Sequence, residues 1–167
     1  MPVDLYLVRH AVAHVRDPER WPDDGRRPLT PRGERKFRAA ARGLSRLLPA
    51  AEVVLLSSPY ERAWRTARIL AEEGAWPGPI SLGALLPGAR VEETAAALAE
   101  HVGTVVAVGH RPSLHRLAAY LLTREAEGAE IRIKKGGAAY LGFEGPLEPG
   151  AGELRWLLTP KMLRSLA

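Results

Sequence analysis

The sequence predicts a three-layer α/β/α fold around a mostly parallel central sheet, and three observations carry that prediction. Val3-Asp4-Leu5-Tyr6-Leu7-Val8, Val53-Val54-Leu55-Leu56 and Val105-Val106-Ala107-Val108 are short apolar runs rich in valine and leucine. Strands buried on both faces of a parallel sheet read as near-continuous runs of this kind. The segments between them carry the 3.6-residue period of amphipathic helices. Each run also ends abruptly: in Arg9-His10, in Ser57-Ser58-Pro59 with Arg62 one turn into the next helix, and in Gly109-His110-Arg111-Pro112. In a parallel sheet those exits lie on one edge, the edge at which α/β sheets bind ligands.

Length and composition narrow the class. A chain of 167 residues is expected to form one domain, 1–167, with a single core. Hydrophobic residues at 46% and charged residues at 26% fit a soluble globular protein. There is no cysteine, which excludes disulfides, thiol catalysis and Cys-ligated metal. No apolar run is long enough to span a bilayer. The N-terminus enters a strand with no basic region followed by an apolar segment, so no signal peptide is expected. The expectation is therefore no membrane association and a cytoplasmic location. The net charge of +5 raises nucleic acid as a partner. The arginines are scattered over helices, however, and no basic run interleaves with aromatics, so no nucleic acid is expected. Attraction for an anionic substrate explains the charge more economically. The chain has no Asn and no Gln, and few Lys against many Arg, which hints at a thermophile or a GC-rich genome.

The elements follow in order. Residues 12–28 form a long irregular segment holding His14, Asp17, Trp21, Asp23 and Asp24. Loops this long are usually functional or disordered, and this one, following the first strand, should lie over the site. Thr30 is the expected N-cap of the next helix, with Pro31 at its first position and Gly33-Glu34 completing a turn like a capping box. Phe37, Ala40, Ala41, Leu44 and Leu47-Leu48 form its inward face, and Pro49 stops it. Ser58-Pro59 opens a second helix with Ala63, Thr66, Ala67 and Leu70 on one side. Its Arg62, Arg65 and Arg68 lie three apart and could be a solvated stripe. Arg62, though, sits in the first turn, where a cation is unfavourable unless an anion is bound. A short strand is expected at 80–82, a turn at 85–88, and an amphipathic helix over 91–101 carrying Val91, Ala95, Leu98 and Val102. Pro112-Ser113 starts a helix with Leu114, Leu117, Ala118, Leu121 and Leu122 inward. Residues 130–134 alternate. Strands at 138–143 and 154–158 read as a hairpin-like extension of the sheet, with one antiparallel strand near the C-terminus, before a short helix at 161–166.

The exits now fit a known pattern. Leu7-Val8-Arg9-His10-Ala11, Ser57-Ser58-Pro59-Tyr60-Glu61-Arg62-Ala63-Trp64-Arg65-Thr66-Ala67 and Val108-Gly109-His110 resemble the histidine phosphatase (phosphoglycerate-mutase-like) superfamily, in the family's order. Leu29-Thr30-x-x-Gly33 adds a fourth turn like the family's. The short chain, with no large inserted cap, and Lys134-Lys135-Gly136-Gly137 before a late strand are most similar to the SixA branch, which acts on protein phosphohistidine. Ala11 stands where the usual motif has glycine, and Arg65 where a glutamine is common. Most members also carry a glutamate proton donor after the segment matching 80–86, where this chain reads Leu82-Gly83-Ala84-Leu85-Leu86. Glu92 and Glu93 come later and read as ordinary first-turn acids.

The resemblance implies a metal-independent phosphatase with no cofactor, its cations replacing Mg²⁺. It implies that His10 attacks phosphorus and forms a phosphohistidine intermediate, which water hydrolyses. Arg9 and Arg62 would hold the non-bridging oxygens, and His110 would donate to the phosphoryl group. His14, Trp21, Asp23 and Asp24 are candidates for a substrate loop, and Asp23 or Asp24 could stand in for the absent acid. His101 and His115 fall within helices and read as structural or solvated. The Lys134-Lys135 pair reads as a solvated strand end, with an acidic partner protein as the alternative. A general acid contributes about 10²–10⁴-fold. Expelling imidazole needs that help less than expelling an alkoxide, so a phosphorylated protein carrying phosphohistidine is the expected substrate. A small phosphate ester is the runner-up, and a phosphate-binding module without turnover is the reading from a different class. The oligomeric state is not encoded in any pattern here.

Overall fold

The computed structural model describes residues 1–49 and 52–167. Six strands form one sheet: β1 (Val3–Arg9), β2 (Val53–Ser57), β3 (Ile80–Ser81), β4 (Gly103–Gly109), β5 (Ala138–Phe143) and β6 (Glu153–Leu158), in the order β3-β2-β4-β1-β5-β6. β1, β2, β3 and β4 pair in parallel, β5 is antiparallel to β1, and β6 is antiparallel to β5. β5 alone therefore runs against the other strands, as the sequence led us to expect.

Side-chain alternation divides the core into two layers. Tyr6, Val8, Val53, Leu55, Val106 and Val108 face one side. There they meet α1 (Pro31–Leu47), α2 (Glu61–Gly74) and the short α5 (Pro160–Ser165) through residues such as Phe37, Ala67, Leu70 and Leu163. Leu5, Leu7, Leu56, Val105 and Ala107 face the other side. These pack on α3 (Val91–Leu98) and α4 (Ser113–Thr123) through Leu98, Leu114, Leu117 and Leu121. Each fully buried large side chain contributes about 1.5–3 kcal/mol relative to exposure. Because β1, β2 and β4 are central, they are apolar on both faces, which is why they were so legible.

Register then places the strand exits together. Arg9 lies opposite Gly109 and Ser57 opposite Val108. One step further on, the His10 N–H donates to the Gly109 carbonyl (3.0 Å) and the Ser58 N–H to the Val108 carbonyl (3.0 Å). The chain after His10 is clamped by the start of α1. Thr30 donates its N–H to the Val12 carbonyl (3.1 Å), and its Oγ1 accepts from the Gly33 N–H (2.9 Å). A Cβ at Gly33 would lie 2.2 Å from the Val12 oxygen, so only glycine lets α1 approach this closely.

Several expectations require correction. Glu34 does not close a capping box; its carboxylate turns to Arg65 (3.0 Å), a stronger charged partner than the Thr30 N–H, which the Val12 carbonyl already satisfies. The third helix ends at Leu98 rather than at 101, and Val102 is exposed, because the chain must turn there to enter β4. Leu47 also faces solvent, in the last turn of α1, and Leu122 is only half-buried. The strand after α2 is two residues long, and Gly83–Leu85 form a 3-10 turn directly after it. Residues 12–28 are not wholly irregular: Ala13 bridges Leu29, and Asp24–Arg26 form a 3-10 turn.

Candidate active site

Four buried or half-buried side chains meet at the carboxyl edge of β1, β4 and β2: Arg9, His10, Arg62 and His110. The two imidazoles lie 5.3 Å apart, centre to centre, as their adjacent strands dictate. His10 Nδ1 is 2.7 Å from the Ala11 carbonyl. A carbonyl can only accept, so Nδ1 carries the proton and Nε2 keeps its lone pair. Burial, with Arg62, Arg9 and Lys135 nearby, pushes the His10 pKa down to about 4, against the opposing pull of the Ala11 carbonyl. At neutral pH the ring is therefore neutral, with the Nε2 lone pair uncommitted.

His110 is pushed down to about 3, by burial first and then by His10 and Arg62. Its Nε2 shares a hydrogen bond with Ser58 Oγ (2.8 Å), and the edge of the Tyr60 ring packs on it at 5.5 Å. At neutral pH the His110 ring is therefore neutral.

Arg62 enters from the first turn of α2, over the Tyr60 ring (5.1 Å). It donates to the Asp24 carbonyl (2.9 Å) and contacts Asp24 Oδ2 (3.1 Å). Asp24 Oδ1 is taken by Arg27 Nε (2.8 Å). That bond, and Arg62 behind it, hold the Asp24 carboxyl below its ordinary range. Asp24 is thus an ionised strut between two arginines. Of the other loop candidates, Asp23 caps the Asp24–Arg26 turn through Gly25 (2.9 Å), and the His14 and Trp21 rings pack on each other at 5.2 Å. The structure brings Asp24 into the cluster and pairs His14 with Trp21 instead.

Among the described residues, three buried side-chain polar atoms have no hydrogen-bond partner within the protein: Arg9 Nε, Arg62 Nε and His110 Nδ1. Buried polar groups are almost always satisfied, so each exception calls for an explanation. All three belong to this cluster. Burial also lowers the pKa of both Arg9 and Arg62. An oxyanion would satisfy donors of this kind and relieve both costs at once.

Three supporting residues lie outside the sequence-predicted site: Arg27, Thr66, read only as an inward residue of α2, and His115, read as structural or solvated. Arg27 donates to the His14 carbonyl (2.6 Å), holding the loop while adding a third guanidinium. Thr66 Oγ1 accepts from the Ala11 N–H (3.0 Å) and donates to the Arg62 carbonyl (2.7 Å), tying the His10 turn to α2. His115 Nε2 contacts both the N–H and the carbonyl of Ile133 (3.1 Å each), and that carbonyl also receives Arg9 Nη1 (3.2 Å). A threonine among the inward alanines of α2 was the available signal for Thr66. Arg27 had only its i,i+3 spacing from Asp24.

Comparison with known proteins agrees with this geometry. A family model described as histidine phosphatase superfamily (branch 1) matches residues 5–82. An uncharacterised protein of Picosynechococcus sp. is 33% identical over 139 residues, spanning 81% of this chain and 82% of the relative. The chain belongs to the histidine phosphatase superfamily. Within it, the protein histidine phosphatase SixA, solved with tungstate, superposes with a TM-score of 0.78 at 25% identity, covering 95% of this chain and 97% of that one. A Nakamurella multipartitia structure assigned to SixA gives 0.75 at 29% identity, over 96% and 97% of the two chains. The histidine phosphatase is thus of the SixA type, and its relatives support a phosphatase activity. Among its described residues no helix is long and apolar enough to cross a membrane.

Proposed function

We propose that this histidine phosphatase removes the phosphoryl group from phosphohistidine on a protein, with His10 as nucleophile. The observation that carries the proposal is the Nδ1–H bond from His10 to the Ala11 carbonyl, which leaves a neutral Nε2 in the middle of the cation cluster. Nε2 attacks phosphorus in line, and the new N–P bond forms as the bond to the leaving group breaks. The phosphorylated ring is cationic at Nδ1–H, so its bond to the Ala11 carbonyl strengthens as charge develops. Arg9 and Arg62 take the non-bridging oxygens, and His110 gives a further hydrogen bond. Water then attacks phosphorus, the electron pair of the N–P bond returns to Nε2, and phosphate departs carrying both protons of the water.

The leaving group decides the substrate. An alkoxide must collect a proton as it departs, and the carboxylate that reaches this cluster, Asp24, is held ionised by Arg27 and Arg62. A phosphoimidazole protonated on its second nitrogen leaves as neutral imidazole and needs no acid. The solved relative that holds tungstate, and is itself a protein histidine phosphatase, supports the same reading.

The test is a turnover panel in EDTA with wild type and His10→Ala: a phosphohistidine-bearing protein, phosphoramidate, p-nitrophenyl phosphate and several sugar phosphates. Fast N–P cleavage, poor sugar-phosphate turnover and loss of both in the variant are expected. Equal or better turnover of alkyl phosphates would replace this reading with a small-molecule phosphomonoesterase.

A further inference from the structure

A second cationic pocket adjoins the His10 turn. A pocket of about 240 Å³ shares Ala11 and Val12 with that turn and is also lined by Phe37, Gly136 and Pro160. Three cations from three separate elements reach it: Lys36 from α1, Lys135 from the turn before β5, and Arg164 from α5. No acidic side chain lines it. None of the three cations makes an ion pair among the described residues.

This sets the pocket apart from the larger basic groove between α3 and α4. There Arg90 pairs with Glu92 and Arg116 with Glu127, so most of the charge is already balanced. Like charges brought together with no counter-charge raise one another's energy, and an anion recovers that energy on binding.

The pocket is also built into the site. Gly136, at φ +77°, donates its N–H to the carbonyls of Arg9 (3.0 Å) and His10 (3.1 Å). A Cβ there would meet Phe37 at 3.3 Å. That turn fixes Lys135 between the pocket and the nucleophile, close enough to be one of the cations that depress the His10 pKa. Phe37 and Gly136 in the lining are buried while Lys36 and Lys135 are exposed, which fits a carboxylate carried beside an apolar side chain.

We infer that Lys36, Lys135 and Arg164 form a docking subsite for an acidic, partly apolar segment of the phosphoprotein substrate, seated across Ala11–Val12 while its phosphoryl group meets His10. This inference rests on the protein-phosphohistidine reading above. The subsite supplies affinity and orientation for a macromolecule and nothing to a small phosphorylated compound. Rim charges of this kind act on association and on salt dependence.

The experiment is kinetic, with the full chain as wild type and as the double variant Lys36→Glu/Arg164→Glu, neither residue belonging to the phosphoryl cluster. Three substrates are compared: a phosphohistidine-bearing protein with a carboxylate-rich flank, the same protein with that flank neutralised to Asn and Gln, and phosphoramidate, which has an N–P bond and no carboxylate. We expect the double variant to raise KM for the acidic protein about tenfold, the scale of one lost favourable charge contact. It should leave phosphoramidate turnover within about twofold of wild type and erase the difference between the two proteins. High salt should bring wild type towards the variant. Equal KM for the acidic protein in both enzymes overturns the inference. So does a parallel loss on phosphoramidate, which would make the cations part of the fold or of the chemistry; thermal unfolding of the variant separates those two. A wild type that cleaves both proteins with the same KM overturns the docking subsite alone, whereas one that cleaves phosphoramidate but neither protein also overturns the protein substrate of the proposed function. A wild type that cleaves no N–P bond overturns the proposed function itself.

Discussion

Two arginine-rich regions of this protein show opposite electrostatic design. On the outer face of α1 and α2, Arg38 contacts Glu72 (2.8 Å) and Glu73 (3.0 Å), Arg42 contacts Glu73 (3.2 Å), and Arg65 contacts Glu34 (3.0 Å) and Glu72 (3.5 Å). Those acids raise the pKa of Arg38 and Arg65. At the sheet edge, Arg9 and Arg62 are withdrawn from solvent, hold donors with no partner in the protein, and have lowered pKa values. The divide runs between Arg62 and Arg65, one helical turn apart on α2. Paired arginines at a surface hold elements together and contribute little each. Arginines kept buried and incompletely paired carry a cost that a bound anion offsets, and that imbalance marks the site.

The contrast can be broken most sharply at those two residues. Arg62→Lys keeps the charge but loses the planar fork, and kcat on phosphoramidate should fall about 10²–10³-fold, the scale of losing a transition-state donor. Arg65→Lys should leave kcat within about twofold. Equal effects would erase the distinction.

The clamp behind the His10 turn comes next. Gly33→Ala puts a methyl group on the Val12 carbonyl. We expect a loss of about 1–3 kcal/mol in denaturant-measured stability, as for overpacked sites, together with reduced turnover, since Val12 lies two residues from His10. Unchanged stability would show that α1 does not clamp the turn.

Acid titration sharpens the account further. The His10 pKa of about 4 and the His110 pKa of about 3 lie below the ordinary 6.5. The unfolded chain therefore takes up protons first, so the contribution of these neutral rings is complete above about pH 6.5 and is lost as pH falls towards 4 and 3. ¹⁵N spectra of the imidazoles should show both rings neutral at pH 5.5, with the His10 proton on Nδ1. A charged ring at that pH would refute the assignment. The smallest effect belongs to the outer face: Glu73→Gln should cost under about 1 kcal/mol, less in salt, with activity intact.

Much of this was legible in the sequence, for physical reasons. β1, β2 and β4 are buried on both faces, so their composition announces them, and their exits deliver Arg9, His10, Arg62 and His110 to one edge by topology alone. What the sequence hid were bonds between distant side chains and backbone. Residues 130–134 alternate as a strand would, yet Ile133 pairs with no strand; its N–H and carbonyl are met by His115 and Arg9. Arg27 and Asp24 look like loop charges until Arg62, 38 residues beyond Asp24, reaches them. Helix ends were misjudged where a residue such as Val102 is apolar but exposed.

The central claim is that His10 Nε2 carries the phosphoryl group during turnover. Its most direct test is to quench turnover in base, where phosphohistidine survives, and locate the phosphoryl group by ³¹P NMR and peptide mapping. The account predicts a transient phosphorylated His10 bonded through Nε2 and absent from His10→Ala. A phosphoryl group on any other residue, or full turnover by His10→Ala, would contradict it.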